Sequence, residues 1–303
     1  MRQLLYIDLF CGAGGTSTGV ERAMYKGNKC AEVIACVNHD PNAIASHAAN
    51  HPNALHFTED IRTLDLTELV AHTKSKRAAN PSALVVLWAS LECTNFSKAK
   101  GGQPRDADSR TLAEHLFRYI EALTPEYIYI ENVEEFMCWG DLDENGKPVS
   151  RDKGRLYMRW VQTVCKYGYD FAHRLLNAAN YGAYTSRTRF FGIFAKKNLP
   201  IVFPEPTHCK NGRRDMFSSL QSWKPVKEVL ELSNEGKSIF ERDKPLADKT
   251  LERIYAGLIK FVAGGKDAFL VKYNSVNKRT GKHIPPSIDE PCPTVATQNR
   301  LGL

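Results

Sequence analysis

The sequence predicts a doubly wound α/β protein followed by a smaller, irregular domain. Short apolar, β-rich runs at residues 4–10, 32–37, 83–89, 127–130 and 189–195 alternate with helix-period segments. This is the pattern of βαβ units around a mostly parallel sheet. Polar and small residues gather where these runs end, which is where open α/β sheets hold ligands. After Pro200 the alternation gives way to Pro, Lys and Trp punctuation without a sustained period.

The first run ends in Asp8-Leu9-Phe10-Cys11-Gly12-Ala13-Gly14-Gly15, and a helix is expected from about residue 16 to 25. Gly12 and Gly14 are followed by Ser17 where a dinucleotide fingerprint has its third glycine. Asp8 would repel a phosphate but suits a cationic ligand or an amino group. A plain structural bend accounts for the glycines as well. The second run ends in Asn38-His39-Asp40-Pro41. The clearest helix covers residues 111–123, where Leu112, His115, Leu116, Tyr119, Ile120 and Leu123 fall on one face. Residues 141–154 form a polar excursion. The composition shift near residues 196–206 divides the chain into domains at 1–200 and 201–303, and no internal repeat is present.

The 303 residues, 43% hydrophobic, are enough for one large domain and a smaller one. No apolar run approaches the ~18 residues of a membrane span, and Asp8 interrupts the N-terminus before a signal pattern forms. The expectation is a cytoplasmic protein with no membrane partner. Eight cysteines without a C-x-x-C pair argue against both a zinc site and a disulfide framework, so no metal is expected. Residues 1–195 carry 22 basic and 22 acidic side chains, leaving 19 and 12 for residues 196–303. The net charge of +7 therefore sits in the last third. Either a solvated basic surface or a face for a polyanion such as nucleic acid explains it.

Three further features bear on chemistry. Cys93 follows an apolar run and precedes the basic, glycine-containing stretch Lys98-Ala99-Lys100-Gly101-Gly102, surroundings that favour a reactive thiol, although a loop cysteine without a role reads the same. Glu131 ends a run of alternating Tyr and Ile, where a carboxylate is costly unless paired or acting as an acid or base. Arg187 and Arg189 are two residues apart, so in one strand they share a face and make an oxyanion site or a salt-bridged edge.

Together these segments resemble the DNA (cytosine-5) methyltransferases. Residues 8–15 look like that family's S-adenosylmethionine motif, the Cys93 loop with Phe96 and Ser97 like its catalytic loop, Glu131-Asn132-Val133 like its ENV motif, and Arg187-Thr188-Arg189 like its paired arginines. Asp60-Ile61, after Phe57, resembles the adenine-contacting segment. Phe203-Pro204-Glu205-Pro206-Thr207-His208 resembles the passage into target recognition. The resemblance covers about residues 1–208.

It implies a Rossmann-like methyltransferase sheet with a smaller target-recognition domain, acting as a monomer on double-stranded DNA. The implied reaction transfers a methyl group from S-adenosylmethionine to carbon-5 of a flipped-out cytosine in a specific sequence. A restriction endonuclease of the same system is an implied partner. Cys93 would add to carbon-6, Glu131 would hold or protonate ring nitrogen 3, Arg187 would steady the base or Glu131, and Arg189 would support the catalytic loop. Asp8, Gly12, Gly14 and Gly15 would cradle the cofactor, Phe10 and His39 flank its adenine, Asn38 bond its ribose, and Asp60 with Ile61 receive the adenine amino group.

The chain departs from the family in three places. Glu92-Cys93-Thr94 stands where the family usually has Pro-Cys-Gln, and Asn38 where it usually has a glutamate. The sequence also reaches Leu303 before the closing motifs, which implies a truncated chain. A DNA-binding homologue with impaired catalysis, or an RNA cytosine methyltransferase, therefore remain alternatives.

Glutamate in place of proline frees φ and sets a negative charge beside a thiol that must ionise, unless Lys98, Lys100 or Arg189 compensates. Glu92→Pro should lower the pH at which Cys93 reacts with iodoacetamide and leave S-adenosylmethionine binding unchanged. An unaltered reactivity profile would place the carboxylate away from the sulfur.

Overall fold

The computed structural model describes residues 2–91, 112–140, 154–214, 219–234, 238–273, 276, 280–295 and 301–303. They divide into two compact units, Met1–Leu175 with Arg189–Phe203, and Leu176–Thr188 with Pro204–Leu303.

The first unit is built on a seven-stranded sheet. Its strands are β1 (Leu4–Leu9), β2 (Ala31–Val37), β3 (Leu55–Phe57), β4 (Leu84–Ser90), β5 (Tyr127–Asn132), β6 (Tyr169–Asn177) and β7 (Thr188–Lys196). They lie in the order β3-β2-β1-β4-β5-β7-β6. The pairings of β1 with β2 and β4, of β2 with β3, and of β4 with β5 are parallel, whereas β7 runs antiparallel to β5. From β1 the chain builds toward β3, then returns to place β4 on the other side of β1. The order reverses there, so the carboxyl ends of β1 and β4 flank the crevice in which such sheets bind ligands.

The central strands read as unbroken apolar runs because both faces are covered. Leu5, Ile7, Leu9, Val85, Leu87 and Ala89 are buried on one side of the pleat, and Tyr6, Asp8 and Val86 are buried as well. Helices supply the cover: α1 (Gly15–Glu21), α2 (Pro41–Asn50), α3 (Thr67–Ala79), α4 (Leu112–Leu123) and α5 (Arg155–Lys166). On α4, Leu112, Leu116, Tyr119, Ile120 and Leu123 are buried, as their spacing predicts. On α5, Trp160, Val161 and Val164 are buried, and Trp160 meets Phe136 and Phe194 edge to face. Each large side chain fully buried in this way stabilises the fold by about 1.5–3 kcal/mol.

Several elements differ from the sequence expectation. The helix expected to reach residue 25 ends at Glu21, and Met24–Tyr25 pairs with Asn28–Lys29 in a hairpin. Lys26 and Gly27 both take positive φ (50° and 79°), the geometry of a tight hairpin turn that a helix cannot continue through. β3 has only three residues, and β6 is a sheet-edge strand with exposed charged side chains, so neither shows a clean apolar period. Arg187 and Arg189 do not share one strand, because the chain is interrupted at Arg187 between the strand Thr185–Ser186 and β7. Thr185–Ser186 instead pairs in parallel with Cys292–Pro293, inside the second unit.

The second unit holds a three-stranded sheet in the order His208–Cys209, Ser219–Ser222, Asn211–Arg214. It also contains a helix, Asp248–Gly257, that runs on into a π-helical turn at Leu258–Val262. Its core is small, with Val226, Leu270 and Ile288 at the centre. Besides the residues after 203 it takes in Leu176–Thr188, a segment without a compositional break to mark it. Among the described residues no helix is long and apolar enough to cross a membrane.

Candidate functional site

The glycine turn at the end of β1 is fixed by backbone bonds to β2. The amides of Phe10 and Cys11 donate to the Val37 carbonyl at 2.9 and 3.3 Å, and the Gly14 amide returns to the Cys11 carbonyl at 3.0 Å. To make these bonds Phe10 takes φ 60°, a left-handed conformation that is rare for a bulky residue. Gly14 has φ 92°, and a Cβ there would stand 2.9 Å from His51 Cδ2. Gly12 also has a positive φ, 52°, but a Cβ on it, or on Gly15, would meet nothing within 4 Å. One side of the turn is therefore packed on histidines and the other is open.

Asp8 lies directly under this turn and is buried. Ser17 Oγ donates to its Oδ2 at 2.7 Å, while Oδ1 has no hydrogen-bond partner among the described residues. Burial pushes the carboxyl up to about 7, and the Ser17 bond pulls the other way. His47 Nε2 sits 2.9 Å from Ser17 Oγ. Burial, with His51 and His56 nearby, pushes the His47 imidazole down to about 4. His51 Nε2 is 3.2 Å from Thr18 Oγ1. The sequence reading passed over Ser17, His47 and His51, although the H-x-x-x-H spacing on α2 was the available signal.

The remaining expected cofactor residues lie at the ends of β2 and β3. The Asn38 amide donates to the Phe57 carbonyl, and its Oδ1 accepts from the Asp40 amide at 2.9 Å. That bond engages the side-chain oxygen of Asn38. Asp40 caps α2 by accepting from the Asn42 amide at 2.9 Å, and His39 is exposed.

Asp60 is less open than its expected role requires. Arg62 Nε donates to both of its oxygens at 3.0 Å, Nη2 to Oδ2 at 2.6 Å, and the Arg62 amide to Oδ1 at 2.9 Å. Those bonds hold the carboxyl below the usual carboxylate range. Any amino group approaching Asp60 would have to compete with the Arg62 fork. The Ile61 side chain belongs to the core, and its carbonyl accepts from Tyr119 Oη at 2.9 Å. Arg118 donates to the carbonyls of Ile61, Arg62 and Leu64 at 3.2, 2.6 and 2.6 Å. Helix α4 thus clamps the loop, a task that its apolar period does not announce.

Glu131 is the penultimate residue of β5, paired in register with Ser90 of β4 and Phe191 of β7. Arg189 Nε lies 3.2 Å from its Oε1, and both side chains are largely shielded from solvent. The next residue, Asn132, is buried and accepts from the Val133 amide at 2.7 Å. Arg187 falls in the second unit. Cys93, with Glu92, Phe96 and Ser97, lies outside the described residues, which stop at Leu91 just past β4.

The sheet order with its antiparallel β7, the glycine turn after β1 and the carboxylate near the end of β5 define the α/β methyltransferase class. The sequence matches the C-5 cytosine-specific DNA methylase family over residues 4–255, and the chain belongs to that family of S-adenosylmethionine-dependent enzymes. It is 31% identical over 209 residues to the Type II methyltransferase M.AgeI of Thalassovita gelatinovora, covering 69% of this chain and 43% of that protein. It is 29% identical over 211 residues to M.XorII of Xanthomonas oryzae, covering 68% and 44%. The chain thus spans about half the length of the curated relatives it matches. Among solved structures, a DNMT2 mutant from Spodoptera frugiperda shares the fold with a TM-score of 0.51 at 16% identity, over 86% of this chain and 66% of the other.

Two outcomes follow from this geometry. Gly14→Ala combines a strained φ with a clash on His51 and should cost about 1–3 kcal/mol in urea unfolding. Gly12→Ala should cost only about 1 kcal/mol, yet it places a methyl on the open side of the turn and should weaken S-adenosylmethionine binding measured by calorimetry. Unchanged binding would mean that the cofactor does not approach Gly12.

Asp8 sets a pH dependence. Folded protein keeps its proton up to about pH 7, whereas the unfolded chain releases it near its ordinary value of 3.8, so the associated stability is complete below about pH 4 and is lost as pH rises toward 7. The upper limit of that loss is about 4 kcal/mol. In Asp8→Asn the slope disappears, and its melting temperature relative to wild type should climb between about pH 4 and pH 7. Parallel melting curves across that window would rule the buried acid out.

Proposed function

We propose that this chain provides the S-adenosylmethionine-binding and catalytic part of an enzyme that methylates carbon-5 of cytosine in duplex DNA. The observation that carries the reading is the Glu131–Arg189 pair at the carboxyl end of β5, two strands from the glycine turn that ends β1. Strand spacing sets these two features about 10 Å apart along the same sheet end.

The residues at the turn fit the cofactor. The unpartnered Asp8 Oδ1 offers an acceptor beneath the turn, and the space over Gly12 and Gly15 admits a ligand against the backbone. Asp8, Phe10, Gly12, Gly14, Gly15, Asn38, His39, Asp60 and Ile61 are the residues assigned to hold it. S-adenosylmethionine supplies a methyl group on a cationic sulfur. An ionised Asp8 would favour that charge where it would repel a phosphate, and a bound cation would in turn draw the buried acid toward its ionised form.

At the other end of the site, Glu131 is assigned to hold ring nitrogen 3 of the cytosine, with Arg189 neutralising the carboxylate and fixing its direction. Cys93 is the nucleophile for carbon-6, and Arg187 steadies the base. A base inside a duplex is out of reach of such a site, so the target cytosine must be flipped out. Residues 1–200 carry this chemistry. Residues 201–303, with their surplus of basic side chains and with Lys210, Arg213 and Arg214 exposed, are assigned to target recognition on the phosphate backbone.

Tritium transfer from labelled S-adenosylmethionine to genomic DNA tests the reading. Wild type should incorporate label, Cys93→Ala should fall to background, and Glu131→Gln should lose roughly 10²–10⁴ in rate. DNA containing 5-fluorocytosine should form an adduct with Cys93 that survives denaturation. DNA binding without an adduct would leave a binding homologue, and preferential labelling of tRNA in competition would move the substrate to RNA.

A further inference from the structure

Beneath the glycine turn lies a group of metal-ligating side chains that the proposed reaction does not use. Cys11 of the turn, Cys36 of β2 and His47 of α2 are all buried, and their ligand atoms lie within 4.8 Å of one another. Cys36 Sγ is 3.5 Å from His47 Nδ1. A tetrahedral ion bound at ~2.3 Å to sulfur and ~2.0 Å to nitrogen separates those two atoms by about 3.5 Å.

The hydrogen bonds determine which His47 nitrogen is free. When Asp8 is ionised, Ser17 gives its single proton to the carboxylate at 2.7 Å, and its oxygen then accepts from His47 Nε2 at 2.9 Å. Nδ1 of His47 therefore carries a lone pair, turned toward Cys36. His56 Nε2 faces that lone pair at 2.9 Å, the distance of a hydrogen bond between the two rings, which a bound cation would replace. The carboxylate–hydroxyl–imidazole chain behind His47 is the kind of outer support that orients a metal-bound histidine.

We propose that Cys11, Cys36 and His47 bind a divalent cation of the zinc type that ties the glycine turn to β2 and α2, with His56, whose Nε2 stands 2.9 Å from His47 Nδ1, moving in as the fourth donor. Binding releases the two thiol protons to solvent, and the two thiolates cancel the charge of the ion, so no net charge is buried. The ligands are 25, 11 and 9 residues apart along the chain, a spacing that resembles none of the short paired zinc signatures.

The test is titration of the reduced full chain with Co²⁺, followed by displacement with Zn²⁺. The expected result is a thiolate-to-cobalt charge-transfer absorption that saturates at one equivalent, persists in Cys93→Ala, and is accompanied by a rise in melting temperature. Cys36→Ser, checked for folding by circular dichroism, should lose most of that absorption. His56→Ala, at a less buried position, should weaken the affinity at least tenfold and serves if Cys36→Ser fails to fold. Absence of the absorption in wild type, its survival in folded Cys36→Ser, unchanged affinity in His56→Ala, or a Cys11–Cys36 disulfide forming in place of metal uptake would each overturn the proposal.

Discussion

The chain of hydrogen bonds from Asp8 through Ser17 to His47 is the constraint on which the glycine turn depends. It joins the end of β1, the first turn of α1 and the last turn of α2 in one buried polar contact. A buried carboxylate is tolerable only with partners, and one of its oxygens already has one. The glycine turn wraps over this contact, and its left-handed residues allow the backbone to pass so close to His47 and His51. The packed underside fixes the turn, and the side of Gly12 and Gly15 stays open.

The opposite end of the site obeys the same economy. Glu131 stands at a strand end where it would be expensive alone, and Arg189 on the neighbouring antiparallel strand compensates its charge. β7 therefore joins β5 to the edge strand β6 and delivers the guanidinium. The Asp60 loop shows a third version, in which Arg62 occupies the carboxylate while Arg118 and Tyr119 hold the loop carbonyls from α4. Asp60 is thereby pre-positioned and masked at once, so ligand entry there has to displace Arg62.

Much of this site was legible before the fold. The glycines, Glu131, the Arg-Thr-Arg segment and the ends of the apolar runs each stand out chemically, and the glycines and Glu131 lie at the carboxyl ends of parallel strands, whereas Arg189 lies at the start of an antiparallel one. The partners of these residues were not legible. Ser17 and His47 are 30 residues apart, Arg118 and Arg62 are 56 apart, and only the packing of α2 and α4 on the sheet brings them together. Arg187 and Arg189, read as one strand face, were separated because Thr185–Ser186 pairs with Cys292–Pro293, a partner more than 100 residues away.

The sequence by itself determined the class of fold and the chemical character of the site. Runs buried on both faces must be continuously apolar, and a close backbone approach requires glycine, so both leave a local mark. Only the tertiary structure decided the protonation and pairing of those residues: which oxygen of Asp8 is free, which nitrogen of His47 faces Cys36, and what holds Asp60. Charge and hydrogen bonding depend on distance and burial, and neither exists along the chain until helices and strands from distant segments are packed together.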